Sequence, residues 1–146
     1  MQTTRLLFPF THGMQANAIE QAVQLAKSRN ATLVPASLIC VSKEREAKGP
    51  RLEYVQQSKD FLEAVSYRAL KRNVPVEQVE VQTSDVVQCI DTLARELDCE
   101  GVLLFMHGKD CLLLESKNVT QIMQKVSRKL YVFNLKAKDS VSLQVC

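Results

Sequence analysis

Gly101-Val102-Leu103-Leu104-Phe105-Met106-His107-Gly108-Lys109 is an apolar run with neither helical spacing nor alternation, and it closes on a His, a Gly and a Lys. A run of this kind reads as a strand buried on both faces and ending in a polar turn. Such a strand belongs in the middle of a parallel sheet. In open parallel sheets, ligands collect beyond the carboxyl ends of the strands, where the strand order reverses. Residues 106–110 are therefore the first place to expect function.

The flanking sequence supplies partners for that strand. Arg5 to Phe10 is a compact apolar run closed by Thr11, His12 and Gly13, and reads as strand one. Pro9 cannot donate a ladder hydrogen bond, so it belongs at the strand's end or where the neighbour no longer pairs. Ala16, Ile19, Ala22, Val23 and Ala26 follow helical spacing, with a stop at 28–30. Residues 31–41 read as strand two, with an irregularity expected at Pro35. A charged loop covers 42–49. Pro50 fits the first turn of a second helix, whose inward face is Val55, Ser58, Leu62, Val65 and Ala69, running to about Arg72 before Pro75. The imperfect alternation over 76–82 predicts a strand near a sheet edge. Ser84 is the expected N-cap of a third helix lined by Val86, Ile90, Leu93 and Leu97, with Asp85 in its first turn. After strand four, Val119, Ile122, Met123 and Val126 mark a short fourth helix, and Leu130 to Leu135 a fifth strand.

Strands alternating with helices predict a single-domain α/β fold: an open parallel five-stranded sheet in the order 3-2-1-4-5, with helices on both faces. The domain spans 1–135. Residues 136–146 are a polar tail whose Val141, Leu143 and Val145 alternate weakly, and which either frays or adds an edge strand.

Composition narrows the function. With 46% hydrophobic and 24% charged residues, the chain falls among ordinary globular proteins rather than disordered or fibrous ones. There is no run of about eighteen apolar residues and no signal-like start, so no membrane role and a cytoplasmic location are expected. The +3 net charge is spread along the chain and only 5% of residues are aromatic, which gives nucleic-acid binding no support. The five cysteines contain no C-x-x-C pair, which argues against a disulfide framework or a structural zinc. Cys40 and Cys89 read as small core residues, Cys111 and Cys146 as exposed thiols.

Three stretches resemble the universal stress protein family. Residues 6–13, followed by a helix ending Leu25-Ala26-Lys27, resemble the family's opening strand, turn and first helix. Residues 85–101 resemble the helix leading into its fourth strand. Residues 106–109, Asn118-Val119-Thr120 and Lys129-Leu130-Tyr131-Val132-Phe133 resemble its phosphate loop, last helix and last strand. ATP-binding members carry an acidic residue after strand one and a glycine-rich loop whose backbone N–H groups approach phosphates. Here Thr11 stands in place of the acid, Phe105 in place of the first glycine, and Lys117-Asn118 in place of Gly-Ser, with one residue deleted between; only Gly108 matches. The bulk of Phe105 is expected to fill the space a nucleotide needs.

The resemblance implies a stress-response regulatory or interaction domain that does not bind ATP in the family manner, with no cofactor. The alternative is a sensor of a small ligand or nucleotide, ATP or AMP. Its candidate residues are Thr11, His12, His107, Gly108, Lys109 and Asn118. The two histidines follow strands one and four, so this sheet order predicts that they face one crevice; the plainer reading is that each caps a strand end. No nucleophile with an adjacent base and no metal set is visible, so no catalytic or metal residue is assigned. The last strand is an apolar edge in this order, and family members typically dimerise through it. A homodimer is expected, with the tail wrapping or extending the interface and Tyr131→Lys weakening it. The protein partner stays unnamed.

Overall fold

The computed structural model describes residues 4–45, 47–135 and 141–145. The elements are β1 (Arg5–Phe10), α1 (Ala16–Ser28), β2 (Thr32–Cys40), α2 (Leu52–Lys71), β3 (Val79–Thr83), α3 (Val86–Glu96), β4 (Gly101–His107), β5 (Asp110–Leu112), α4 (Lys117–Lys125), β6 (Lys129–Leu135) and β7 (Val141–Val145). They form one seven-stranded sheet in the order β3-β2-β1-β4-β6-β7, with β5 paired to β4. The five parallel strands follow the expected 3-2-1-4-5 order. The sheet is mixed rather than purely parallel, because β5 and β7 are antiparallel additions.

Strand alternation divides the interior into two layers. Leu6, Phe8, Phe10, Leu103, Phe105, Tyr131 and Phe133 face α1 and α2. Leu7, Val34, Leu38, Leu104 and Leu130 face α3 and α4. In β4, Gly101 to Phe105 are all buried, as a strand covered on both faces requires. The first layer is aromatic at its centre: Phe10 stacks on Phe61 at 4.1 Å, Phe105 stacks on Phe133 at 4.6 Å, and Phe8 touches Phe61 and Phe105.

Both strand prolines sit where a neighbour is missing. β1 pairs with β4 only at Leu6 and Leu7, so the absent N–H of Pro9 falls beyond the ladder. β2 is unbroken at Pro35, contrary to the expected irregularity. Its β3 side carries an isolated bridge at Leu33 and a ladder starting at Ala36, and Pro35 lies in the gap.

Four further expectations are corrected. The N-cap of α3 is Asp85, not Ser84: Oδ1 of Asp85 accepts from the Gln88 N–H at 3.1 Å. Pro50 lies just outside α2, whose N-cap is Arg51. β3 begins at Val79, with Val76 held only by its bridge to Leu33. β6 is not an edge, because β7 pairs along it from Tyr131 to Leu135. The weak alternation of the tail was enough to form that strand, and the outer edge therefore moves to β7, where Leu143 and Val145 are 43% and 48% exposed. Tyr131 is wholly buried, with its hydroxyl donating to Glu100 at 2.6 and 2.8 Å, so Tyr131→Lys would disrupt the fold rather than report on an interface.

Candidate functional site

β1 and β4 part after Leu7 and Val102, which opens the sheet at the carboxyl ends of its central strands. The chain itself fills that opening. After His107 it turns through Gly108 and Lys109 and returns as β5, pairing Leu112 with Phe105, Cys111 with Met106 and Asp110 with His107. Gly108, at φ 62, takes the first central position of this two-residue hairpin, a conformation that glycine adopts without strain. Leu113 follows at φ 74, which for a residue with a Cβ costs roughly 1–2 kcal/mol. Its carbonyl accepts from the Thr11 N–H at 2.7 Å, the His12 N–H at 3.2 Å and the Thr11 hydroxyl at 3.0 Å. Leu113 packs into the α1/α2 layer and Leu114 into the α3/α4 layer. The crevice between strands one and four is thus occupied by an apolar, hydrogen-bonded segment of the same chain.

What stays open lies to the side of this segment, above β1, β2 and β3. One cavity of about 450 Å³ is lined by Thr11, His12, Cys40, Tyr54, Gln57 and Glu115, among others. Gln57 accepts from the Gly13 N–H at 3.3 Å at its rim. A second, of about 280 Å³, shares Thr11, Cys40 and Glu115 and extends to Thr83, Asp85 and Asn118. Glu115 pairs with Lys117 at 3.1 Å, an exposed pair of small energetic weight.

The six residues expected from sequence are therefore divided. Thr11 and His12 line the larger cavity, with Thr11 Oγ1 2.8 Å from His12 Nδ1, and Asn118 lines the smaller. The Thr11 hydroxyl has one proton. When it goes to the Leu113 carbonyl, Nδ1 of His12 carries a proton and donates to the Thr11 oxygen. His107, Gly108 and Lys109 are exposed at the β4–β5 hairpin and line neither cavity, because the hairpin turns the chain away after His107. Phe105 is also placed otherwise than expected. Its ring belongs to the aromatic layer against Phe133 and Phe8, and the crevice is closed by Leu112 to Leu114 instead.

Tyr54, Gln57 and Glu115 were not singled out from sequence, and Cys40, read there as a small core residue, is half-buried at the cavity wall. Cys40 was within reach, as the last residue of a strand whose carboxyl end faces the crevice. Burial raises the Cys40 thiol pKa, helped by the charge of Glu115 and opposed by Lys117. Burial also raises that of Cys89, and pushes Cys99 and Cys111 each up to about 11. These four cysteines stay protonated at neutral pH and are poor nucleophiles. Cys111 is half-buried rather than exposed, and Cys146 lies outside the described residues. Among the described residues no three His, Cys, Asp or Glu side chains come together as a metal set. No helix among them is long and apolar enough to cross a membrane.

A central parallel sheet wrapped on both faces, with its order reversing between β1 and β4, defines a doubly wound α/β domain of the kind that carries its site at the switch point. The chain belongs to the universal stress protein family, whose profile matches residues 3–127. Solved structures agree on the fold. A universal stress family protein from Burkholderia pseudomallei superposes with a TM-score of 0.70 at 16% identity, covering 90% of this chain and 96% of that one. The Archaeoglobus fulgidus universal stress protein in complex with dAMP gives a TM-score of 0.65 at 11% identity, with 90% and 97% covered. A universal stress protein in complex with cAMP gives 0.60 at 12% identity, with 88% and 95% covered. No curated protein matches the chain by sequence.

Proposed function

We propose that this chain is a non-catalytic, cytoplasmic stress-response regulatory domain that works through protein contacts as a homodimer and does not hold ATP at the end of β4. The observation that carries the reading is the Leu113 carbonyl, which is bound by Thr11 and His12 where the opened sheet would otherwise admit a ligand. A nucleotide at that place would have to displace three hydrogen bonds and two buried leucines. The test is isothermal titration with ATP, ADP and AMP, with and without magnesium, beside extraction of any co-purified nucleotide. Neither heat nor extracted nucleotide is expected; saturable micromolar binding of ATP would overturn the reading. The dimer is tested by light scattering, where twice the 16.5 kDa chain mass is expected and a monomer would refute it.

A second reading is favoured by the displaced cavity. Its volume of about 450 Å³ lies in the range that small ligands use, and Tyr54 and His12 offer an aromatic ring and an imidazole. The dAMP and cAMP held by two structural neighbours make an adenine nucleotide the first ligand to try there. AMP binding that is lost in Tyr54→Ala and kept in Lys109→Ala would select this reading over the first.

A further inference from the structure

We propose that Ser42, Arg45, Arg51 and Tyr54, at the entry to α2, form a site for a phosphate-class oxyanion, separate from the β4–β5 hairpin and the start of α4. The proposal does not depend on either functional reading above.

A cavity of about 230 Å³ is lined there by Ser42, Arg45, Arg51 and Tyr54 together with Cys40 and Val41. It differs in charge from the two cavities beside it. Those contain Glu115, and one also Asp85, whereas no carboxylate among the described residues lines this one. Two arginines, a serine and a tyrosine therefore share a concave surface that has no carboxylate from the described residues. Planar guanidinium forks match the oxygens of a tetrahedral oxyanion, and two forks with two hydroxyls suit its several oxygens better than a single carboxylate.

The loop is built rather than trailing. Residues 43–45 form a 3-10 turn, with the Arg45 N–H on the Ser42 carbonyl at 3.0 Å. The Lys48 and Gly49 N–H groups both return to the Arg45 carbonyl at 2.9 Å. This places the Arg45 side chain with its Nε buried and without a hydrogen-bond partner among the described residues. A buried donor left unpaired is destabilising unless something meets it, and an anion in this cavity would do so. Among the described residues Arg51 pairs only with Glu53, at 3.9 Å between two exposed side chains, so its guanidinium is open to a better partner. Arg51 is also the N-cap of α2 and makes no side-chain capping bond, which leaves the positive end of a 20-residue helix facing the same region.

The test is titration of the full chain with inorganic phosphate at ionic strength held constant with sodium chloride, followed by amide NMR. Saturable shifts centred on 42–54 are expected. Arg45→Gln and Arg51→Gln should each weaken binding about tenfold, through loss of a charge-assisted fork. Lys48→Gln, on the same loop but outside the lining, should leave the affinity within about twofold, since an exposed charge there is screened. The same spectra report whether each variant is folded, and Arg51 is exposed enough that its variant serves even where Arg45→Gln disturbs the loop. Shifts that never saturate, shifts centred on 107–118, or phosphate binding unchanged in Arg51→Gln would each overturn the proposal.

Discussion

Adding one methyl group at Gly101 should unsettle the start of β4 more than its size implies. A Cβ built on Gly101 would lie 2.4 Å from Tyr131 Cε2, 2.7 Å from Tyr131 Cδ2 and 3.2 Å from the Lys129 carbonyl oxygen. Carbon atoms in contact rest at about 3.5–4.0 Å, so the ring would have to retreat by about 1 Å. It has little freedom to do so. Tyr131 is fully buried, its hydroxyl is bonded to both oxygens of Glu100, and the Arg29 guanidinium lies 4.9 Å from the ring centroid. Overpacking of this kind costs about 1–3 kcal/mol. Gly101 is outside the left-handed region, so Ala also gains about 0.4–1 kcal/mol from a less flexible unfolded chain. With the ring held on three sides, the clash should dominate, for a net loss of about 2 kcal/mol. At this chain length that is a fall in Tm of roughly 6 °C.

The assay is urea and thermal unfolding of Gly101→Ala, Tyr131→Leu and the double variant at one protein concentration. If the ring is the obstacle, Gly101→Ala should cost at least about 1 kcal/mol less in the Tyr131→Leu background. An equal cost in both backgrounds, or a stabilised Gly101→Ala, would refute the reasoning.

The other predictions are shorter. Tyr131 should ionise late: burial first, then the hydrogen bond and charge of Glu100, push it from 10.0 up to about 12. Because its folded value lies above its unfolded one, its contribution to stability is complete below about pH 10 and is lost between there and about pH 12. A phenolate absorbance titration should show one late group, with Tyr67 early because Lys71 stabilises its anion; three coincident ionisations would contradict this. Thr11→Val removes the hydroxyl shared by the Leu113 carbonyl and His12 but leaves two backbone N–H groups on that carbonyl, so a loss of about 1 kcal/mol in urea unfolding is expected. An unchanged midpoint would mean that the hydroxyl holds nothing there. Phe105→Gly, which places the glycine that the family resemblance led us to expect there, should lower stability by about 4 kcal/mol through loss of the stack on Phe133, without creating ATP binding. A variant that gains ATP affinity in titration calorimetry would show that Phe105, not β5, closes the site.

The order 3-2-1-4-5 and the buried character of β4 could be read from the chain because they rest on local signals: apolar runs, helical spacing, and connections long enough for right-handed crossovers. The position of Pro9 and most of the α1 and α2 inward faces follow from the same covalent and periodic rules, although Ala16 is exposed and the buried Ala18 and Phe61 were not among the expected positions. Thr11, His12 and Asn118 were also accessible, since each stands at the carboxyl end of a strand or the start of a helix beside it. Single residues beside a cap were less secure, and the α3 N-cap fell one residue later than expected because Ser and Asp are both good caps and only the backbone turn selects between them.

The closing of the crevice depended on contacts that no local pattern encodes. Asp110 to Leu112 is too short to announce itself as a strand, and it becomes one only because β1 leaves β4 after Leu7 and exposes a row of backbone groups that must be paired. The Leu113 carbonyl then meets Thr11 and His12 across about a hundred residues of chain, and His107 and Lys109 are carried away from the groove by the same turn. β7 is a similar case: its weak alternation becomes a strand when β6 offers an edge. Sequence by itself determined the five parallel strands and their order. Tertiary structure alone decided which part of the switch point stays open, because unpaired backbone at a sheet's opening is satisfied by whichever segment can reach it.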